Sequence, residues 1–230
     1  GFSTRNSISD LKIFDVCTKT CYGENKWSNN SKSNFKSDLS PKTIINKAYN
    51  NVKSYGSSTC WVCTLDDKQL RVANLGDSGF MVVRSNIELI GASHEQQHSF
   101  NAPYQLANIP TNKFKNANKL TFWNDKPSDA ETYNIDIKAG DIVILGTDGL
   151  YDNLFPTEIL KTIKGFFNTK QSNYKLNSYG FSIPFSFEDM DQEEASQLAK
   201  ILAKKAYKNS MSKTYISPFG KKMNRLLIRS

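Results

Sequence analysis

Residues 140–147, "GDIVILGT", constrain the fold more than any other stretch of the chain. Four consecutive apolar side chains, Ile142, Val143, Ile144 and Leu145, stand between two glycines. Side chains in a strand alternate between the two faces of its sheet, so an unbroken apolar run needs cover on both faces. A single sheet with one wet face cannot satisfy this strand. The chain must place further layers on both sides of it.

The neighbouring segments supply those layers. "TCWVCTL", "LRVANL", "FMVVRS" and "IELIG" read as strands between residues 59 and 91, and "TYNIDI" at 132–137 alternates as a half-buried strand. Asp66-Asp67-Lys68 is expected to close one hairpin and Gly76-Asp77-Ser78-Gly79 the next. A helix is expected from Pro41, capped by Ser40, with Ile44, Ile45, Ala48 and Val52 on one face. Pro156 opens a second helix with Ile159, Leu160, Ile163 and Phe167 inward. The clearest helix covers 191–209, acidic at its start and basic at its end, with Ala195, Leu198, Leu202 and Ala206 in register. Strands followed by helices indicate an α+β arrangement. Residues 1–39 read as a polar, poorly patterned segment in which Leu11, Phe14, Cys17 and Cys21 line a helix face. Residues 40–230 read as the domain, with 91–129 as loop and local helix and 168–190 as an inserted loop.

Charge and hydropathy exclude several function classes. The net charge is +8, but the lysines are spread along the chain beside Asn and Ser, as in "NNSKSNFKS". That pattern is not a binding stripe for nucleic acid. No apolar run approaches the roughly 20 residues needed to span a bilayer. The opening "GFSTRNSISD" lacks the apolar stretch of a signal peptide, although a chain beginning with Gly leaves targeting open. Cysteines fall as Cys17-x-x-x-Cys21 and Cys60-x-x-Cys63. Cys60 and Cys63 stand three apart on a strand and point to opposite faces, so they read as structural cysteines and not as zinc ligands.

"HEQQH" at 94–98 spells H-E-x-x-H, a zinc-protease signature. The chemistry requires His94 and His98 on one face of a long rigid helix, with Glu95 as general base. Pro103 would end any such helix after about two turns. His94 and His98 are also the only histidines, leaving Glu193 or Glu194 as the tidy third ligands. The match reads as accidental.

Two other stretches carry more chemistry: "ANLGDSGFMVVR" and "GDIVILGTDGLYDN". In each an Asp follows an apolar strand beside a glycine, which places Asp77 and Asp148 at the rim of a rigid sheet. Hard ions such as Mg²⁺ and Mn²⁺ take carboxylate and water oxygens held in this way. Taken singly, Asp77 reads first as a plain turn residue, and Asp148 reads equally as an N-cap.

With "GSSTC" at 56–60, "EQQHSFNAPYQL" at 95–106 and "YISPF" at 215–219, these stretches resemble the metal-dependent protein phosphatases of the 2C family. The match is nearest to the mitochondrial T-cell-type branch and covers residues 40–219. The resemblance implies an antiparallel β-sandwich flanked by α-helices. It also implies hydrolysis of phosphoserine and phosphothreonine proteins by metal-activated water, with Mg²⁺ or Mn²⁺ as cofactor. Carried over by position, Asp148 would bind the core metal pair and Asp77 a further metal. Gly76, Gly79 and Gly149 would form turns, and Asp152 and Asn153 would bond the local turn. The resemblance further implies an intracellular protein, mitochondrial by branch, and a monomer is expected.

Two family pieces are not found. No D-G-x-G-G turn lies in residues 1–39, and no D-D-[IV]-T strand follows "GKKMNRLLIRS". The expectation is a phosphatase domain incomplete at both ends, with little activity in this chain alone. The competing expectation is an inactive relative that binds partners through the old cleft.

Overall fold

The computed structural model describes residues 12–16, 40–66, 68–109, 123–173 and 190–228. In chain order these form β1 (Lys12–Val16), α1 (Pro41–Asn51), β2 (Gly56–Ser58), β3 (Cys60–Asp66), β4 (Gln69–Leu75), β5 (Gly79–Arg84), β6 (Glu88–Ala92), β7 (Gln97–Ser99), β8 (Ala102–Pro103) and β9 (Leu106–Asn108). They continue with β10 (Glu131–Asp136), β11 (Ile142–Gly146), α2 (Asp148–Tyr151), α3 (Pro156–Asn173), α4 (Gln192–Ser210) and α5 (Pro218–Leu227).

Strand alternation sorts these elements into layers. One sheet runs β1-β11-β5-β6 and the other β10-β4-β3, with two short ribbons, β2-β9 and β7-β8. Neighbours are antiparallel except β1, which runs parallel to β11. Between the sheets lie Leu70, Val72, Phe80, Val82 and Val143. The opposite face of β4 sends Ala73 and Leu75 against Ile45 of α1. The opposite faces of β5 and β11 send Met81, Val83, Ile142 and Ile144 against α3 and α4. The unbroken run at 142–145 therefore has cover on both faces, as its pattern demands. The α+β sandwich flanked by helices is the observed architecture.

Several local expectations change. β4 and β5 do not form a hairpin, because they belong to different sheets. Residues 76–78 are a crossover between layers. Apolar alternation fixes which face a residue takes, but not which neighbour a strand pairs with. Residues 12–16, expected on a helix, form β1 alongside β11, where a tertiary partner overrides local pattern. Cys17 and Cys21 lie outside the described residues. Helix α3 runs to Asn173, so 168–173 is helical, and 174–189 lies outside the described residues. Among its described residues, the region 91–129 contains three short strands and a 3-10 turn at Pro127–Asp129.

Helix α1 starts as expected, with Ser40 Oγ accepting from Thr43 N at 3.2 Å. Its buried residues are Pro41 and Ile45, however, while Ala48 and Val52 face solvent. Tyr49, one turn beyond Ile45, donates its hydroxyl to Ala107 O at 3.0 Å and turns that face inward. In α4 the four expected residues are buried, and Asp191 and Glu194 form a reciprocal capping box. Helix α5 was not anticipated, although Ser217-Pro218 repeats the Ser40-Pro41 start signal. Cys60 packs toward α1 and Cys63 between the sheets, so the two thiols do face opposite ways.

Candidate functional site

The register of one strand pair brings the two sequence-predicted carboxylates together. Gly79, the first residue of β5, is paired with Gly146, the last residue of β11. Asp77 stands two residues before Gly79 and Asp148 two residues after Gly146. Both therefore leave adjoining strands at the same end of the sandwich. Thr147 is the N-cap of α2, and Asp148 is its first residue, so Asp148 is not the cap itself. Its Oδ1 accepts from Gly149 N at 2.7 Å.

The crossover that carries Asp77 is held tightly. Gly76 has φ +107°, and a Cβ there would lie 2.5 Å from Thr59 Cγ2 and 2.6 Å from Tyr104 O. Only glycine fits this turn. Gln96 clamps it from both sides: its Oε1 accepts from Gly76 N at 3.1 Å, and its backbone N donates to Gly76 O at 3.0 Å. Gln96 Nε2 in turn donates to Asp129 O at 2.8 Å. Gly79 is a position of close approach, where a Cβ would collide with Ser93 Oγ, itself bonded to Phe80 N at 3.0 Å. Gly149 is different. It lies within α2 in ordinary helical backbone and does not form a turn.

Further charges converge on this rim. Lys222 of α5 places Nζ 2.6 Å from Glu95 Oε2 and 3.6 Å from Asp152 Oδ1. Burial pushes the Asp77 carboxyl above the usual range, and the Asp148 charge raises it further. Asp152 is pushed up to about 6, mainly by burial; Lys222 opposes this, while Glu95, Asp148 and Asp77 add to it. Five charged side chains thus share one field, four of them carboxylates: Asp77, Asp148, Asp152 and Glu95. Asp152, expected to bond only its local turn, belongs to this cluster. Asn153 does bond locally, to Gly149 O at 3.1 Å. Glu95 and Lys222 were missed as partners because they are 127 residues apart in sequence.

The H-E-x-x-H string is resolved by the same loops. It is not helical: His94 lies in a connection and His98 on β7. His98 Nε2 bonds Asp125 at 2.9 Å and its ring is stacked between Tyr104 and Trp123, with centroids 4.0 and 4.5 Å away. Glu194 caps α4, and Glu193 accepts from Gln197. These residues do not converge on an ion.

Beside the rim opens a cleft of about 340 Å³. Asp77, Gly79 and Glu95 line one side, Lys221, Lys222 and Arg225 of α5 another, and Phe80 and Phe155 its apolar part. A hard dication wants about six oxygens. The donor chemistry of Asp77 and Asp148 suits one, but among the described residues no group of three or more His, Cys, Asp or Glu could hold a metal. Among the described residues the pair is not a closed centre.

No protein-family model matches the chain. It is 35% identical over 186 residues to the protein phosphatase PTC7 homolog of Danio rerio, covering 78% of this chain and 54% of that protein. The corresponding human protein is 36% identical over 172 residues, covering 74% and 48%. The probable protein phosphatase 2C 80 of Arabidopsis thaliana is 41% identical over 123 residues, covering 54% and 27%. The chain spans about half the length, or less, of the curated relatives it matches. The solved structure of the photosystem II phosphatase PBCP superposes with a TM-score of 0.59 at 26% identity, covering 80% of this chain and 58% of that one.

Proposed function

We propose that this chain, a relative of the protein phosphatases 2C, supplies part of the active site of a protein serine/threonine phosphatase. The observation that carries the reading is the Gly79–Gly146 pairing, which sets Asp77 and Asp148 on one rim. Asp148, exposed on the first turn of α2, would present its carboxylate oxygens to a core Mg²⁺ or Mn²⁺. Asp77, on its clamped crossover, would hold an adjacent ion. When bound, such ions supply an activated water and neutralise charge on the phosphoryl oxygens. Gln96 keeps Asp77 from swinging away, and Lys222 balances Glu95 and Asp152, which lowers the repulsion around the rim.

Phosphoserine and phosphothreonine proteins are the substrates this reading assigns. The branch resemblance supports an intracellular, mitochondrial location, which fractionation of cells expressing the full-length protein tests. No helix among the described residues is long and apolar enough to cross a membrane. Among the described residues, Asp77 and Asp148 alone do not complete two octahedral shells, so this chain is expected to turn over little. The test is hydrolysis of a phosphothreonine peptide by the full-length protein with Mn²⁺. Asp148→Asn should lower turnover at least a hundredfold; unchanged turnover would overturn the assignment.

A further inference from the structure

We infer that the cleft beside Asp77 seats the polypeptide flanking the phosphoresidue, and that it selects a segment combining an apolar side chain with acidic groups. The location of the scissile phosphate in this inference rests on the phosphatase reading; the binding preference does not. The floor of the cleft is apolar: Phe80, Met81 and Leu154 are buried behind it, and Ala92, Phe155 and Pro156 present its accessible surface. Its wall is the first turns of α5. Lys221 and Arg225 stand four apart and therefore share one face of that helix. Lys222 is committed to Glu95 and Asp152. Lys221 rests its ammonium 5.7 Å from the centre of the Phe155 ring. Arg225 has no ion-pair or hydrogen-bond partner among the described residues, and lines the cleft.

Two cations without carboxylate partners beside an apolar floor favour a ligand that is anionic and partly apolar. A peptide with an aliphatic or aromatic residue next to Glu, Asp or a second phosphoresidue has that chemistry. Arg225 offers its forked donors to a carboxylate or a phosphate equally. A basic peptide would meet like charge at the α5 wall, and attraction only at the opposite side that Asp77 and Glu95 line.

The test measures fluorescence anisotropy of labelled phosphothreonine peptides against the 230-residue chain, all containing one leucine. Their flanks are neutral, glutamate-rich, lysine-rich or doubly phosphorylated. The glutamate-rich peptide should bind about tenfold tighter than the neutral one, with the gain shrinking as salt rises. The Lys221→Gln/Arg225→Gln variant should erase the difference between the glutamate-rich and the neutral peptide. Arg225→Gln alone, an exposed change, should remove part of it and guards against misfolding of the double variant. A gain only from the second phosphate supports the site and assigns it to phosphate. Equal affinity for all flanks, or the same gain in the double variant, overturns the inference. Acid preference in a protein that shows no turnover with Mn²⁺ sinks only the phosphatase reading.

Discussion

The interior carboxylates and the rim carboxylates of this sandwich differ in how completely the fold bonds them. Asp141, 2% exposed, receives Arg84 Nε at 3.0 Å, Arg84 Nη2 at 2.8 Å and Lys138 N at 2.8 Å. Asp125, 7% exposed, receives His98 and also Gln105 N at 2.8 Å. Asp148 accepts one hydrogen bond, from the next residue's own backbone, and Asp77 carries a carboxyl that burial and a neighbouring like charge push toward protonation. A saturated carboxylate holds structure together. One left unsaturated in a field of like charge is a place where a cation gains most.

The contrast yields ordered predictions. Asp141→Ala should cost about 2–4 kcal/mol in urea unfolding, because it leaves Arg84 facing a vacated, buried acceptor site. A loss under 1 kcal/mol would show that the Arg84 pair is dispensable. His98→Ala should cost about 2–3 kcal/mol, removing a ring stacked on two aromatics and a partner of buried Asp125. Gln96→Ala should cost about 1–2 kcal/mol, since the hydrogen bonds that its side chain makes to Gly76 N and Asp129 O are lost. At the rim the sign should change: without metal, Asp77→Asn and Asp148→Asn should shift stability by no more than about 0.5 kcal/mol, toward greater stability. A cost above 1 kcal/mol for either would place it with the interior carboxylates.

The smallest effect concerns acids that burial alone suppresses. Cys63 is pushed up to about 11 by desolvation, and Cys60 is raised for the same reason. A thiol near 11 is about 0.1% thiolate at pH 8, so peptide-mapped alkylation of Cys63 should be slow and rise about tenfold per pH unit up to about pH 10. Rapid labelling at pH 8 would show that the strand β3 thiols are not held in the wall.

How much of this was legible in sequence follows from the same physics. The both-faces-buried strand at 142–145, the core faces of α3 and α4, and the Ser-Pro helix start at 40–41 are local periodic signals, and each appears where expected. Asp77 and Asp148 were readable as rim residues because each follows an apolar strand beside a glycine. The pairing partner of a strand is not local, so the supposed β4–β5 hairpin proved a crossover and β1 was missed. The Glu95–Lys222 pair, the Gln96 clamp and the His98–Asp125 contact each join distant segments, and no period or spacing encodes them. Only the repeat of Ser-Pro at 217–218 could have revealed α5.

The most direct test of the shared rim pocket is the melting temperature of the chain and of its Asp77→Asn and Asp148→Asn variants, with and without Mn²⁺. At Mn²⁺ about tenfold above its Kd, the unaltered chain should melt about 2–4 °C higher, and both variants should lose most of that gain. An unaltered chain that ignores Mn²⁺, or variants that keep the full shift, would contradict a cation site shared by positions 77 and 148.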